Sequence, residues 1–317
     1  MTVRLLFALS ALLLATLSPR TAQAAITCEV IDNPDIPYGT IDLPVSTAIT
    51  ASTFVRVRCT GDRNRDRGDP VRICVGLNTP LLPRRMVHAS GDFIQHGLYL
   101  DAARSQHIQY TTPNAEIVVT LPSSGNVPVF VTGDVPIYGK LVGSSVNPRA
   151  GAYSETVTGA MGSGPTTQQC AAITAAVPVN FNATGTVRAN CTIATSNLSF
   201  GTVNLLATNI DSNTTVGLNC TNGAAYSVRL NGGTVTGNVA ARRMGLSGSG
   251  PGVINYELRH TSAGGPLWGD GTAGTTTLTG TGNGASQTIT LFGRVPGGQP
   301  APAVGTYSDT VTATVEF

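Results

Sequence analysis

Apolar and polar residues alternate along most of this chain, and the three-to-four spacing of an amphipathic helix is missing. At the C-terminus Val311, Ala313, Val315 and Phe317 share one face, while Thr310, Thr312, Thr314 and Glu316 share the other. That period of two predicts a half-buried strand. Residues 171–183 repeat the pattern, with Ile173, Ala175, Val177, Val179 and Phe181 on one face. Pro178 interrupts the other face and demands a position where no ladder N–H is needed. Short alternating runs separated by Gly, Pro, Asn and Ser turns predict an all-β chain of immunoglobulin-like antiparallel sandwiches.

The pattern also repeats at large scale. Cys28 followed by Tyr38-Gly39-Thr40-Ile41 matches Cys191 followed by Phe200-Gly201-Thr202-Val203. Val55 to Thr60 matches Val216 to Thr221, and Arg84-Arg85-Met86 matches Arg242-Arg243-Met244. Tyr138-Gly139-Lys140 matches Phe292-Gly293-Arg294, and Gly151 to Val157 matches Gly305 to Val311. Five landmarks in one order predict two tandem copies of one domain. The expected boundaries are a first domain over 25–170, a linker over 171–190 and a second domain over 191–317.

Only the first residues break the alternation. Arg4, an apolar run from Leu5 to Leu17 and Ala22-Gln23-Ala24 read as a signal peptide over 1–24, which predicts export. Charged residues make up 11% of the chain and the formal net charge is +2, too little for a polyanion-binding surface, so no nucleic-acid partner is expected. The Arg cluster between Arg56 and Arg72 is interleaved with Asp62, Asp66 and Asp69 and reads as a solvated loop. Six cysteines in an exported chain predict a disulfide set. The repeat pairs Cys28 with Cys59 and Cys191 with Cys220, and elimination then pairs Cys74 with Cys170. Each of the first two bridges closes a loop of about thirty residues and should contribute roughly 3 to 4 kcal/mol.

The second copy resembles the spore coat protein U domain family, which includes subunits of Csu-type (archaic chaperone–usher) pili. The residues that carry the likeness are Cys191, Phe200-Gly201, Cys220-Thr221, Arg242-Arg243-Met244 and Asn255-Tyr256-Glu257-Leu258, then Trp268-Gly269-Asp270-Gly271, Phe292 to Pro296 and Gly305 to Val311. The first copy lacks the Trp-Gly-Asp-Gly stretch and carries an extra cysteine pair. The resemblance implies pilin-type sandwiches that each lack a strand and borrow it from a neighbour, a form of β-augmentation. It makes residues 171–183 the donor strand that completes the first domain, with Ile173, Ala175, Val177, Val179 and Phe181 inward. It also makes Val311, Ala313, Val315 and Phe317 the last strand that a periplasmic chaperone would hold. The first cysteine follows the expected cleavage site so closely that the first domain has no arm to offer. A tip subunit of a pilus is therefore expected, mediating surface attachment and biofilm formation. Its partners would be the chaperone, an outer-membrane usher, the next pilin subunit and an abiotic or host surface. A non-adhesive structural pilus or coat subunit is the alternative, and a sugar-binding or hydrolytic sandwich a third.

No motif points to catalysis. His-Glu-x-x-His, the phosphate-binding Gly-x-x-x-x-Gly-Lys and Gly-x-Ser-x-Gly are all missing from the sequence. His88, His96 and His107 have no compact ligand spacing, and Asp270 and Asp309 read as turn formers, so no cofactor and no metal are expected. Three stretches are apolar for loops: 80–83, 121–130 and 141–146. They make Leu81, Leu82, Val127, Val129, Leu141, Val142 and Val146 the candidate adhesive residues.

Overall fold

The computed structural model describes residues 26–78, 83–109, 114–248 and 250–317. The expected signal peptide, Leu81 and Leu82 lie outside the described residues. Among those described, no helix is long and apolar enough to cross a membrane.

The first domain contributes β1 (Thr27–Asp32), β2 (Ile36–Ile41), β3 (Thr50–Gly61), β4 (Pro70–Leu77), β5 (Arg84–Val87), β6 (Phe93–Tyr99), β7 (Ala115–Thr120), β8 (Val129–Ser144), β9 (Gly151–Pro165) and β10 (Val177–Val187). They form one curled ten-stranded sheet in the order β1-β3-β8-β6-β5-β9-β10-β2, with β4 joining β9 to β7. The second domain contributes β11 (Cys191–Thr195), β12 (Ile210–Cys220), β13 (Ala225–Leu230), β14 (Arg242–Leu246), β15 (Val253–Arg259), β16 (Leu278–Thr281), β17 (Ser286–Val295), β18 (Tyr307–Ser308) and β19 (Ala313–Glu316). These lie in two sheets, β11-β12-β17-β15-β14-β18 and β16-β13-β19.

Alternation decides what each strand buries. Along β3 the inward set is Val55, Val57 and Cys59, all without exposed surface, while Arg56 and Arg58 point out to Asp134 and Glu29. One core draws on residues from Ile36 to Val187 and a second on residues from Cys191 to Val295. Disulfides join Cys28 to Cys59, Cys74 to Cys170 and Cys191 to Cys220, and no described cysteine is free. The first and third staple opposed residues of β1–β3 and β11–β12.

Several expectations need correction. The strand ahead of the second domain starts at Val177, not at 171. Cys170–Ala172 form a 3₁₀ turn instead, because the bond to Cys74 on β4 holds that end of the segment back. Ile173 and Ala175 therefore precede the strand, although Ile173 still packs over Gly162 and Gly164. Residues 141–146 are not an apolar loop. Leu141 is fully buried and Val142 half-buried, both inside β8, which runs on to Ser144 past a bulge opposite Gln95 and His96. Val129 is likewise buried in β8. Val146 is exposed but sits beside Asn147, whose carbonyl accepts a 2.9 Å hydrogen bond from Asn222 of the second domain. Val311 lies outside any strand, and Phe317 is more than half exposed beyond the end of β19.

Candidate functional site

The two copies can be compared landmark by landmark, and one of their differences opens a groove. In the first domain β10 lies between β9 and β2. It runs antiparallel to β9, with Val177 opposite Met161, Phe181 opposite Val157 and Val187 opposite Gly151. It runs parallel to β2, with Ala183 opposite Ile36 and Val187 opposite Ile41. Val179, Phe181, Ala183 and Val187 are all buried in the first core.

In the second domain the flanks are present and the strand between them is not. The counterpart of β2 is the stretch around Phe200-Gly201-Thr202-Val203, which has no sheet partner and forms no strand. The counterpart of β9 is broken into β18 and β19, and the four residues from Asp309 to Thr312 between them pair with nothing in a ladder. Their equivalents in the first domain, 155–158, pair with 180–183 of β10. On the edge away from the slot the Thr310 and Thr312 carbonyls accept from the Thr234 and Asn231 N–H groups, but the edge facing the slot has no neighbouring strand to extend the ladder.

The vacated slot is a groove of about 610 Å³ between Thr195–Phe200 on one side and Tyr307–Ala313 on the other. Its floor is core: Val216, Leu230, Tyr256, Leu258 and Leu291 all line it. The burial difference follows from the missing cover. Tyr153, Val157 and Met161 have at most 1% of their surface exposed, whereas Tyr307, Val311 and Val315 are only part-buried. Ile41 is fully buried, whereas its match Val203 is 45% exposed and Leu205 beyond it 73%. The flanks nevertheless hold position. A Cβ on Gly139 would meet the Tyr38 ring, and a Cβ on Gly293 would lie 2.9 Å from Cζ of the Phe200 ring. The two rings therefore dock on equivalent glycines, and the Phe200 flank keeps its place although no strand lies beside it.

A polar knot closes one end. Asp309 accepts hydrogen bonds from Tyr256 Oη at 2.6 Å and from the backbone N–H groups of Thr234, Val235 and Thr310. Burial, then the Asp309 carboxylate, pushes the Tyr256 hydroxyl far above its ordinary range. Arg242, almost wholly buried, donates to the carbonyls of Leu230 and Asn231. Asp270 accepts from the Thr272 N–H and hydroxyl in a local turn. Asp309 is thus a structural tie across the groove's end, more than the turn former its sequence context suggests.

The three histidines of the first domain are dispersed. His88 bonds Ser90, His107 stacks on Tyr99, and His96 is buried in a hydrogen-bonded chain with Tyr38 and Glu155. Among the described residues the one cluster with metal-ligand spacing is Cys74, Glu116 and Cys170, whose sulfurs are bonded to each other. Sequence reasoning missed the buried chain around His96. Its signal was the repeat itself, which aligns Arg84 with Arg242 and Glu155 with Asp309.

One filled sandwich followed by one open sandwich of the same plan defines a tandem β-sandwich protein. The chain belongs to the Spore Coat Protein U domain family, whose model matches residues 13–160 and again 177–314. No curated protein matches it in sequence. Among solved structures it is similar to a chain of the CsuC–CsuE chaperone–tip adhesion subunit pre-assembly complex from archaic chaperone-usher Csu pili of Acinetobacter baumannii. That match has 19% identity and a TM-score of 0.47, and covers 92% of this chain and 100% of the other. The CupB6 tip adhesin of Pseudomonas aeruginosa matches at 11% identity and TM-score 0.39, over 92% of each chain. CfaE, the adhesive subunit of CFA/I fimbria of enterotoxigenic Escherichia coli, matches at 9% and 0.38, over 90% of this chain and 93% of the other.

Proposed function

We propose that this protein is the tip subunit of a chaperone–usher pilus, and that its second domain is joined to the shaft by accepting a strand from the next subunit. The single observation that carries this is the groove left where β10 sits in the first copy. An apolar slot whose Phe200–Val203 and Asp309–Thr312 flanks have no ladder partner across it is the setting for β-augmentation, in which main-chain hydrogen bonds give affinity and alternate side chains fill the floor. The interdomain strand is already committed to the first domain, so it cannot serve the slot of another copy. On this reading a periplasmic chaperone holds Tyr307 to Phe317 until an outer-membrane usher exchanges it for the next subunit. The first domain then faces an abiotic or host surface and supports biofilm formation, with no enzymatic step.

The test adds a synthetic peptide of residues 173–188 to the purified full chain, as a stand-in strand. Trp268 is the chain's one tryptophan, is fully buried in the second domain and bonds Val228 beside β19, so its fluorescence follows that domain. The peptide should raise the second domain's unfolding midpoint, and a scrambled peptide should not. An unchanged midpoint with the native peptide would remove the reading's support.

A further inference from the structure

The deepest polar group in the first domain lies under the strand that completes it. His96 on β6 has no exposed surface, and its two ring nitrogens reach opposite flanks of β10. Nδ1 is 3.0 Å from Tyr38 Oη on β2, and Nε2 is 2.5 Å from Glu155 Oε2 on β9. Arg84 on β5 is 4% exposed, meets Glu155 Oε1 at 2.9 Å and donates to the Asn78 carbonyl at 2.6 Å. An ionised carboxylate only accepts, so His96 Nε2–H must donate to Glu155. A neutral imidazole then has Nδ1 free to accept from the Tyr38 hydroxyl. Every strong donor and acceptor of the chain is satisfied in that one arrangement.

The second copy keeps only one end of this chain. Phe200 stands for Tyr38 and has no hydroxyl. Tyr256 stands for His96, since Tyr256 faces Arg242 across its strand pair as His96 faces Arg84. Its hydroxyl reaches Asp309 only, so one flank is tied and the other is not.

We infer that Tyr38, His96, Glu155 and Arg84 form a lock that fixes the two flanks of the slot around residues 177–187, and that mild acid opens it. The inference stands on the first domain alone and does not depend on what fills the second. Protonating His96 turns Nδ1 from acceptor into donor, so the Tyr38 hydroxyl loses its acceptor and must turn, and it buries a second cation beside Arg84 with Glu155 as the one carboxylate between them; the neutral form therefore belongs to the closed state. Burial draws the imidazole below its ordinary range, more than the nearby Glu155 raises it. The groups around the lock are Tyr99 on the same strand and Arg104 after it, with Tyr38, Arg84 and Glu155 from the packed strands. For a group whose folded value is depressed, the contribution is complete above the unfolded value and is lost as pH falls below it. For histidine that loss begins at about pH 6.5. Glu155 also ends below its ordinary range: burial alone would raise it, but His96 and Arg84 outweigh that. Its own loss begins only near the carboxylate value of about 4.3, so the interval above belongs to His96.

Amide hydrogen exchange on the full chain, corrected for intrinsic rates, tests the lock. If opening takes up one proton, the opening equilibrium of 177–187 should rise by about tenfold for each pH unit below roughly 6.5. His96→Gln can accept from Tyr38 and donate to Glu155 without titrating, and should flatten that rise while keeping neutral-pH protection. Tyr38→Phe keeps its ring over Gly139 and should raise opening of 183–187, the stretch paired with β2, already at neutral pH. Protection of 177–187 that is the same at both ends of the interval in the wild type overturns the lock. So does a His96→Gln variant that retains the wild-type rise, or a Tyr38→Phe variant with unchanged protection of 183–187.

Discussion

Phe181 is the side chain that anchors the interdomain strand, with 3% of its surface exposed and Val157 directly opposite on β9. Removing a buried phenylalanine loses both its transfer free energy and the contacts around the cavity left behind. Phe181→Ala should therefore destabilise the first domain by about 3 to 5 kcal/mol. Ile173 shares its face in the sequence but precedes the strand and is only part-buried. Ile173→Ala should cost less than half as much, roughly 1 to 2 kcal/mol. Urea unfolding is followed by near-ultraviolet circular dichroism, to which Tyr226, Tyr256 and Tyr307 of the second domain also contribute, and by Trp268 fluorescence, which reads the second domain; a transition seen in the first signal and not in the second belongs to the first domain. Equal losses for the two substitutions would mean that 173 belongs to the strand after all. The alternation made both residues look equivalent. The chain's local period carries no information about where a covalent bond bends the backbone away from the sheet.

At the scale of elements, β10 and the disulfide before it act as one device. Cys74 and Cys170 are 96 residues apart in sequence, so their bond removes a large share of the unfolded chain's freedom. Replacing both by serine should lower the first domain's stability by roughly 2 to 5 kcal/mol, read from the shift in its denaturant midpoint. An unchanged midpoint would show that the 3₁₀ turn and β10 hold that end without the bond. Much of this was legible beforehand. The period of two gave the strands, and the repeat gave the matching of Cys28–Cys59 to Cys191–Cys220. It also gave the equivalence of Tyr38 with Phe200, the pair from which the open slot can be measured. The open slot was implied by the family resemblance and not by the residue pattern, because Phe200 to Leu205 alternates as well as Tyr38 to Leu43 does. Whether such a stretch becomes a strand depends on a partner that is not its neighbour in sequence. The lock around His96 was hidden for a related reason: its four residues come from β2, β5, β6 and β9, and only the sheet order brings them together.

The whole molecule decides which of the apolar stretches could meet a surface. β8 spans sixteen residues, from Val129 opposite Gly61 to Ser144 next to the turn that contacts Asn222. At about 3.3 Å per residue the strand is at most roughly 50 Å from end to end. The 141–146 stretch therefore lies at the joint between domains, and the 121–128 loop at the far end. There the loop is knitted to the arginine-rich turn: Gly68 N–H donates to the Leu121 carbonyl, Leu121 N–H to that of Asp69, and the Arg67 guanidinium to that of Gly125. Leu121 is buried by this, while Val127 stays 37% exposed and Phe130 62% exposed. Exposed apolar side chains at the end of a molecule lose their water only when they touch something. If the first domain carries attachment, Val127→Ser with Phe130→Ser should reduce binding of piliated cells to plastic several-fold. Val146→Ser, equally apolar and 90% exposed but at the joint, should leave binding unchanged. Pilus number counted by electron microscopy must be the same in all three strains. Equal attachment by the wild type and the Val127–Phe130 double variant would separate the far end from adhesion, and a loss confined to Val146→Ser would move the contact surface to the joint.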